Sequence, residues 1–67
     1  MQITIAEYKA FKKQVSRSNA FFSRLGKRDP SILSVLLNHK DENTLINQRT
    51  CNWLVPIMIR NGFVKSN

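Results

Sequence analysis

A single short stretch, residues 26–30, ends one helix and begins the next. Gly26 is the residue type suited to a left-handed helix stop. Asp29 followed by Pro30 combines a side-chain acceptor with a ring already set at the helical φ, which indicates a helix start. Apolar residues precede this turn at helical spacing, namely Phe21, Phe22 and Leu25. The pattern therefore predicts two short helices that meet at a tight turn.

The start of the chain predicts another helix. Thr4 and Glu7 have the spacing of a capping box, in which each side chain satisfies a backbone amide at the helix start. The apolar residues that follow at helical spacing are Tyr8, Phe11 and Val15. Ser16 and Ser18 then interrupt the pattern, and either serine can cap the second helix, which we expect to end at Gly26.

Two further helices follow the turn. The third begins near Pro30, fades over residues 38–41 and has a predicted buried stripe of Ile32, Leu33, Leu36 and Leu37, flanked by Val35. The fourth runs from about Leu45 to Asn61, where Asn61 and Gly62 form its stop and Phe63 can fold back. Pro56 lies inside this run, so we expect a kink or break between Trp53 and Pro56. The predicted fold is all-α, a compact bundle of about four short helices that forms a single domain over residues 1–67.

Several classes of function conflict with so short a chain. A domain of 67 residues buries only about 60% of the surface of its unfolded chain, so we expect no deep catalytic pocket. One cysteine, Cys51, and one histidine, His39, supply neither an internal disulfide nor the ligands of a zinc site. We therefore expect no enzyme, no metal and no cofactor. The longest apolar run is too short to span a bilayer and the N-terminus does not read as a signal peptide, so a cytoplasmic location without a membrane partner is expected.

Positive charge is concentrated in the first half of the chain. The chain has eleven Lys and Arg residues and four Asp and Glu residues, which gives a net charge of +7. Residues 1–40 hold eight basic and two acidic side chains, whereas residues 41–67 hold three and two. A field that attracts phosphate must be concentrated on one face, so this placement favours a polyanion partner over a basic surface that serves only solubility.

The segment from Ser18 to Asn38 resembles the helix-turn-helix of small bacterial and phage repressors of the Cro type. The likeness covers about 21 of the 67 residues and includes the short helix that ends at Gly26, the tight turn and the apolar helix after it. The family usually has a small residue four places before the turn glycine and an apolar residue directly after it. This chain has Phe22 and Lys27 at those positions.

The resemblance implies a sequence-specific transcriptional regulator whose third helix enters the major groove of double-stranded DNA. The candidates for contact with base edges are Lys27, Arg28, Ser31 and Ser34. Arg28 can donate two hydrogen bonds to guanine, whereas a serine reads either base type weakly. The candidates for contact with phosphates are Lys9, Lys12, Lys13, Arg17 and Arg24. Free amides at the start of the third helix are a further phosphate site.

The last helix is the most apolar and least charged segment, which favours it as the surface of a possible homodimer. The residues expected to contact a second copy or a protein partner are Trp53, Ile57 and Met58. At helical spacing Trp53 is also suited to anchor the core. One alternative function stays open, in which the basic face binds and inhibits another macromolecule through an acidic surface. A basic helix that lies on a membrane surface is a third, less favoured interpretation.

Overall fold

The computed structural model describes residues 1–65, and four α-helices hold most of them. The helices are α1 (Ile5–Val15), α2 (Asn19–Leu25), α3 (Pro30–Leu37) and α4 (Gln48–Arg60). The all-α prediction is therefore confirmed. Within residues 1–65 the only β pairing is one isolated antiparallel bridge between Thr4 and Leu45.

Each helix begins at a polar side chain that caps its first turn. The capping box of α1 is formed, because Thr4 accepts a hydrogen bond from the Glu7 amide and the Glu7 carboxylate accepts one from the Thr4 amide. Ser18 caps α2, Asp29 caps α3 and Asn47 caps α4 in the same way. These caps satisfy amides that a helix leaves without an internal partner, so a neighbouring side chain stabilises each helix start.

The fourth helix begins three residues later than predicted, at Gln48 rather than Leu45. The reason is a contact with the chain start. The Ile46 amide donates to the Ile3 carbonyl at 2.8 Å, which holds residues 45–46 extended beside the N-terminus. Asn47 then caps the helix through the Thr50 amide at 2.7 Å.

The end of α4 follows the prediction, and its middle contains no break. The helix continues through Pro56 to Arg60, so of the expected kink or break the break is wrong, and the kink stays a prediction. Gly62 has a φ of 103°, and the Phe63 amide donates to the Met58 carbonyl at 2.9 Å. This is the six-to-one bond of a Schellman stop, and Phe63 folds back as expected.

One core joins all four helices to the extended segments beside them. Its buried apolar residues are Ile3, Ile5, Tyr8, Phe11, Phe22, Leu33, Ile46, Cys51, Leu54, Val55, Ile57 and Met58. The predicted stripe of α3 is narrower than expected. Leu33 is fully buried and Ile32 is 39% exposed, because α3 packs against α1 and α2 along one side only.

The stop of α2 differs from the one predicted. Gly26 has a φ of −85°, and the left-handed residue is Lys27, with a φ of 54°. The Arg28 amide donates to the Ser23 carbonyl at 2.8 Å, and the Lys27 amide donates to the Arg24 carbonyl at 3.1 Å. These two bonds form a complete Schellman stop in which lysine occupies the position that usually favours glycine.

Gly26 is required for a different reason, the close approach of Trp53. A Cβ atom added to Gly26 would lie 2.4 Å from Cε3 of the Trp53 ring. No real Cβ approaches another atom so closely, so only glycine lets the ring of α4 lie against the backbone of the turn. This contact joins the α2–α3 turn to α4.

We expect opposite effects from substitutions at these two neighbouring positions. Gly26→Ala forces the Trp53 ring away and lowers the free energy of unfolding by about 1–3 kcal/mol. Lys27→Gly relieves a left-handed backbone and leaves that free energy unchanged or raises it by up to about 1 kcal/mol. Urea denaturation followed by circular dichroism measures both. Loss of stability in Lys27→Gly together with a neutral Gly26→Ala would contradict this assignment.

Candidate nucleic-acid interface

Four cationic side chains surround α2 and the turn that follows it. Arg17, Arg24, Lys27 and Arg28 are all exposed. The ion pairs found within residues 1–65 involve only Lys9 and Lys65, so these four cations have no carboxylate partner there. They form the basic cluster, which holds most of the uncompensated charge of the first half of the chain.

The acidic side chains are engaged elsewhere, which leaves the field of the basic cluster largely uncompensated. Glu7 serves the α1 cap and lies 3.7 Å from Lys65. Asp41 accepts from the Asn43 amide in its own turn. Only Asp29, which caps α3, lies beside the basic cluster. The basic cluster is therefore a surface that attracts a phosphate.

The lysines of α1 contribute less than predicted. Lys9 pairs with Glu42 at 2.7 Å, because residues 42–44 run along the start of α1 and bring that carboxylate beside it. Lys12 donates to Oδ1 of Asn19 at 3.0 Å, and its Nζ lies 5.9 Å from the centre of the Tyr8 ring. Burial and then the charge of Lys9 lower the pKa of Lys12.

These two lysines are therefore held by partners within the protein. Their contact with phosphates stays a prediction, and Lys13 alone of the three is exposed. Asn19 also accepts from the Tyr8 hydroxyl at 2.8 Å, so this network fixes the start of α2 against α1. Burial raises the pKa of Tyr8, which keeps its hydroxyl a donor.

Arg17 is held in place by an aromatic ring. Its guanidinium carbon lies 4.8 Å from the centre of the Phe21 ring, within the range of a cation–π contact. Beside it opens a groove of about 350 Å³, lined by Ser16, Arg17, Ser18, Ala20, Phe21 and Arg24. Two guanidinium groups and two hydroxyls on one concave surface suit an anionic backbone.

Arg28 is anchored in a similar way at the other end of α2. Its guanidinium carbon lies 5.9 Å from the Trp53 ring, the ring that packs on Gly26. Lys27 precedes it at the left-handed position. The turn thus exposes two successive cations, Lys27 and Arg28, on a backbone that packs against Trp53 of α4.

The outward face of α3 has short side chains. Ser31, Ser34, Val35 and Asn38 recur at i, i+3, i+4 and i+7, and all four are exposed. The hydroxyl of Ser34 donates to the Pro30 carbonyl at 3.3 Å. The four predicted base contacts, Lys27, Arg28, Ser31 and Ser34, are all exposed, and the hydroxyl proton of Ser34 is used within the helix.

The start of α3 does not offer free amides, so the predicted phosphate site there was wrong. Pro30 has no amide hydrogen. The Ser31 amide donates to Oδ1 of Asp29 at 2.9 Å, and the Ile32 amide donates to the Asp29 carbonyl at 3.1 Å. The Asp29 carboxylate occupies the position where a phosphate would bind.

Comparison of the chain with protein-family models, curated proteins and solved structures gave no match. Within residues 1–65 no group of three or more His, Cys, Asp or Glu side chains is placed to hold a metal ion. Over the same residues no helix combines the length and the apolar character needed to cross a membrane.

The residues predicted to contact a second copy lie mostly inside the fold. Met58 is fully buried and Ile57 is 7% exposed, because the apolar side of α4 packs into the core. Trp53 is partly buried against Gly26. The prediction of Ile57 and Met58 as surface contacts is corrected.

One surface residue of α3 was not predicted. Val35 was placed beside the buried stripe, yet it is 65% exposed and lies nearly opposite the buried Leu33. A helical projection of residues 30–37 would have predicted this exposure. It places the leucines on one side of the helix, and it places Val35 with Ser31 and Ser34 on the other. The serines could have shown that Val35 points outward.

We expect the Asp29 cap to depend on pH. Hydrogen bonds from the Ser31 amide and side chain lower the pKa of the Asp29 carboxyl from its ordinary value of 3.8. A carboxyl with a lowered pKa stabilises the fold above its unfolded-state value and loses that contribution as the pH falls through its folded-state value. Asp29→Ala should therefore lower the midpoint of thermal unfolding at pH 7, and this difference should shrink below pH 3.8.

The matched control for this measurement is Asp29→Asn, which keeps a capping oxygen without a titrating charge. Its midpoint should lie between those of the wild type and Asp29→Ala at pH 7. A difference between wild type and Asp29→Ala that stays constant from pH 7 to pH 2 would contradict a role for the ionised cap.

Proposed function

We propose that this protein is a cytoplasmic DNA-binding regulator that places the outward face of α3 in the major groove of double-stranded DNA. Arg28 and Lys27 then meet base edges at the start of α3, and Arg17 and Arg24 meet the phosphate backbone. The observation that carries the proposal is the basic cluster, whose four exposed cations have no carboxylate partner within residues 1–65.

The arrangement of the cluster favours a nucleic acid over a small anion. Its cations extend from the end of α1 to the start of α3, and the groove beside Phe21 is lined by only two of the four, Arg17 and Arg24. A small anion would be held within that groove, whereas a polyanion meets cations spread along a surface. Cations spread in this way also predict that the binding affinity falls steeply as salt is added, because each phosphate contact releases counterions.

The shape of α3 favours the major groove. Its outward residues, Ser31, Ser34 and Val35, have short side chains, so the helix backbone can approach the base edges closely. A major groove about 12 Å wide admits one α-helix, and the tight turn keeps Lys27 and Arg28 at the end that enters it. The left-handed backbone at Lys27 supports the same interpretation, since backbone strain is often kept where a side chain serves a function.

The proposal includes self-association through the last helix, as predicted, but through residues other than Trp53, Ile57 and Met58. Met1 and Ile59 are 60% and 49% exposed, and they line one groove together with Val55 and Pro56 on α4. A second copy bound there would let the pair read two half-sites. Analytical ultracentrifugation of the free protein and of its DNA complex tests this part.

The DNA proposal predicts a charge effect that depends on position. Binding of a random-sequence duplex of 30 base pairs is measured by fluorescence anisotropy at several salt concentrations. Arg17→Gln/Arg24→Gln should weaken binding and reduce the slope of log affinity against log salt by about two, one for each lost phosphate contact.

The matched control is Arg49→Gln/Arg60→Gln, which removes the same charge from exposed positions on α4. Its salt slope should stay close to that of the wild type. Equal losses in both double variants would show attraction by net charge alone and contradict a defined interface. Absence of duplex binding by the wild type at 20 mM salt would refute DNA binding itself.

A second candidate, a protein partner with an acidic surface, is favoured by one observation. Leu25, Ile32 and Val35 are all exposed apolar residues near the basic cluster. Arg28→Ala discriminates between the two functions. DNA recognition predicts that this variant loses sequence preference, whereas an inhibitor would tolerate it and be impaired by Leu25→Ser.

A further inference from the structure

The outward face of α3 presents one apolar side chain among polar ones. Val35 is 65% exposed, and its neighbours one turn away on the same face are Ser31 and Asn38. Core packing does not account for its type, because the buried side of this helix is formed by Leu33. The two methyl groups of Val35 therefore lie at the centre of the face that we place in the major groove.

The serines beside Val35 are weak readers of base identity. The Ser34 hydroxyl donates to the Pro30 carbonyl, so its proton is not available to an acceptor on a base. The Ser31 amide is used by Asp29, and a hydroxyl bonds to donors and acceptors alike. Discrimination by the middle of α3 thus depends on apolar contact rather than on hydrogen bonds.

Thymine is the base that apolar contact identifies. In the major groove only thymine presents a methyl group, at C5, and small apolar side chains contact it. The short side chains around Val35 let its methyls come within contact distance of that group. Resting on the DNA-binding function proposed above, we propose that Val35 reads the C5-methyl of a thymine and that the target sequence contains one there.

The position of Arg28 adds a second element to the target. It lies in the turn before α3, two residues before Pro30, so it would contact bases at the N-terminal end of the helix rather than beside Val35. Arg28, which Trp53 anchors, is suited to guanine, so the target contains a guanine on the side of the thymine where α3 begins.

The test removes the methyl group from the DNA rather than from the protein. A bound duplex is first selected from a random 30-base-pair library with the full chain. Each thymine of the selected site is then replaced by uracil, which keeps base pairing and lacks only the C5-methyl. Affinities of wild type, Val35→Ser and the control Val64→Ser are compared; Val64 is 84% exposed and lies outside α3. Circular dichroism verifies folding of each variant.

At one thymine we expect uracil to weaken binding of the wild type and of Val64→Ser about four-fold, the value of one buried methyl group. Val35→Ser should bind both duplexes equally. A loss of the same size in Val35→Ser, no loss at any thymine, or selection without sequence enrichment overturns the inference while DNA binding stands. Absence of duplex binding at 20 mM salt overturns both proposals.

Discussion

The close contact between the Trp53 ring and the backbone of Gly26 joins α4 to the turn between α2 and α3. The ring belongs to α4, whereas the glycine lies in the turn between α2 and α3. An indole ring is rigid and buries a large apolar area, so the backbone that packs against it has little freedom to move. This contact fixes the backbone of the turn against the longest helix. The same ring faces Arg28, so the fold and the proposed interface share one support.

Charge is divided between structure and surface. The carboxylates are used as caps or ion pairs, as at Glu7, Asp29 and Glu42, and each is fixed close to the backbone or to a lysine. Two of the four cations of the basic cluster contact aromatic rings instead, Arg17 the ring of Phe21 and Arg28 the ring of Trp53. A cation–π contact orients a guanidinium without neutralising its charge, so these side chains remain able to attract phosphate.

The parts of the fold that depend on local chemistry could be predicted from the sequence. The start of α1 follows from Thr4 and Glu7 alone, and the start of α3 follows from Asp29 and Pro30. A cap involves residues within one helical turn, so the local sequence is sufficient to predict where such a helix begins. The four helices and their order were therefore predictable.

Features that depend on distant residues could not be predicted. Lys9 looked like a free cation because Glu42, its partner, is 33 residues away. Gly26 looked like a left-handed stop because the ring that requires it belongs to another helix. The candidate site was predicted in part for the same reason: the exposed cations of the turn are local, whereas their support by Trp53 depends on the packed fold.

Lys27 shows how the turn serves two demands at once. A glycine at this position would complete the Schellman stop with less backbone strain, at an advantage of roughly 1 kcal/mol. A domain of this size has little stability to lose, since small chains bury a limited share of their surface. The lysine therefore needs a compensating role, and a long cation fixed between Gly26 and Arg28 has one in the proposed complex. There it adds charge where α3 enters the groove, on a backbone that the Schellman bonds and Trp53 already hold.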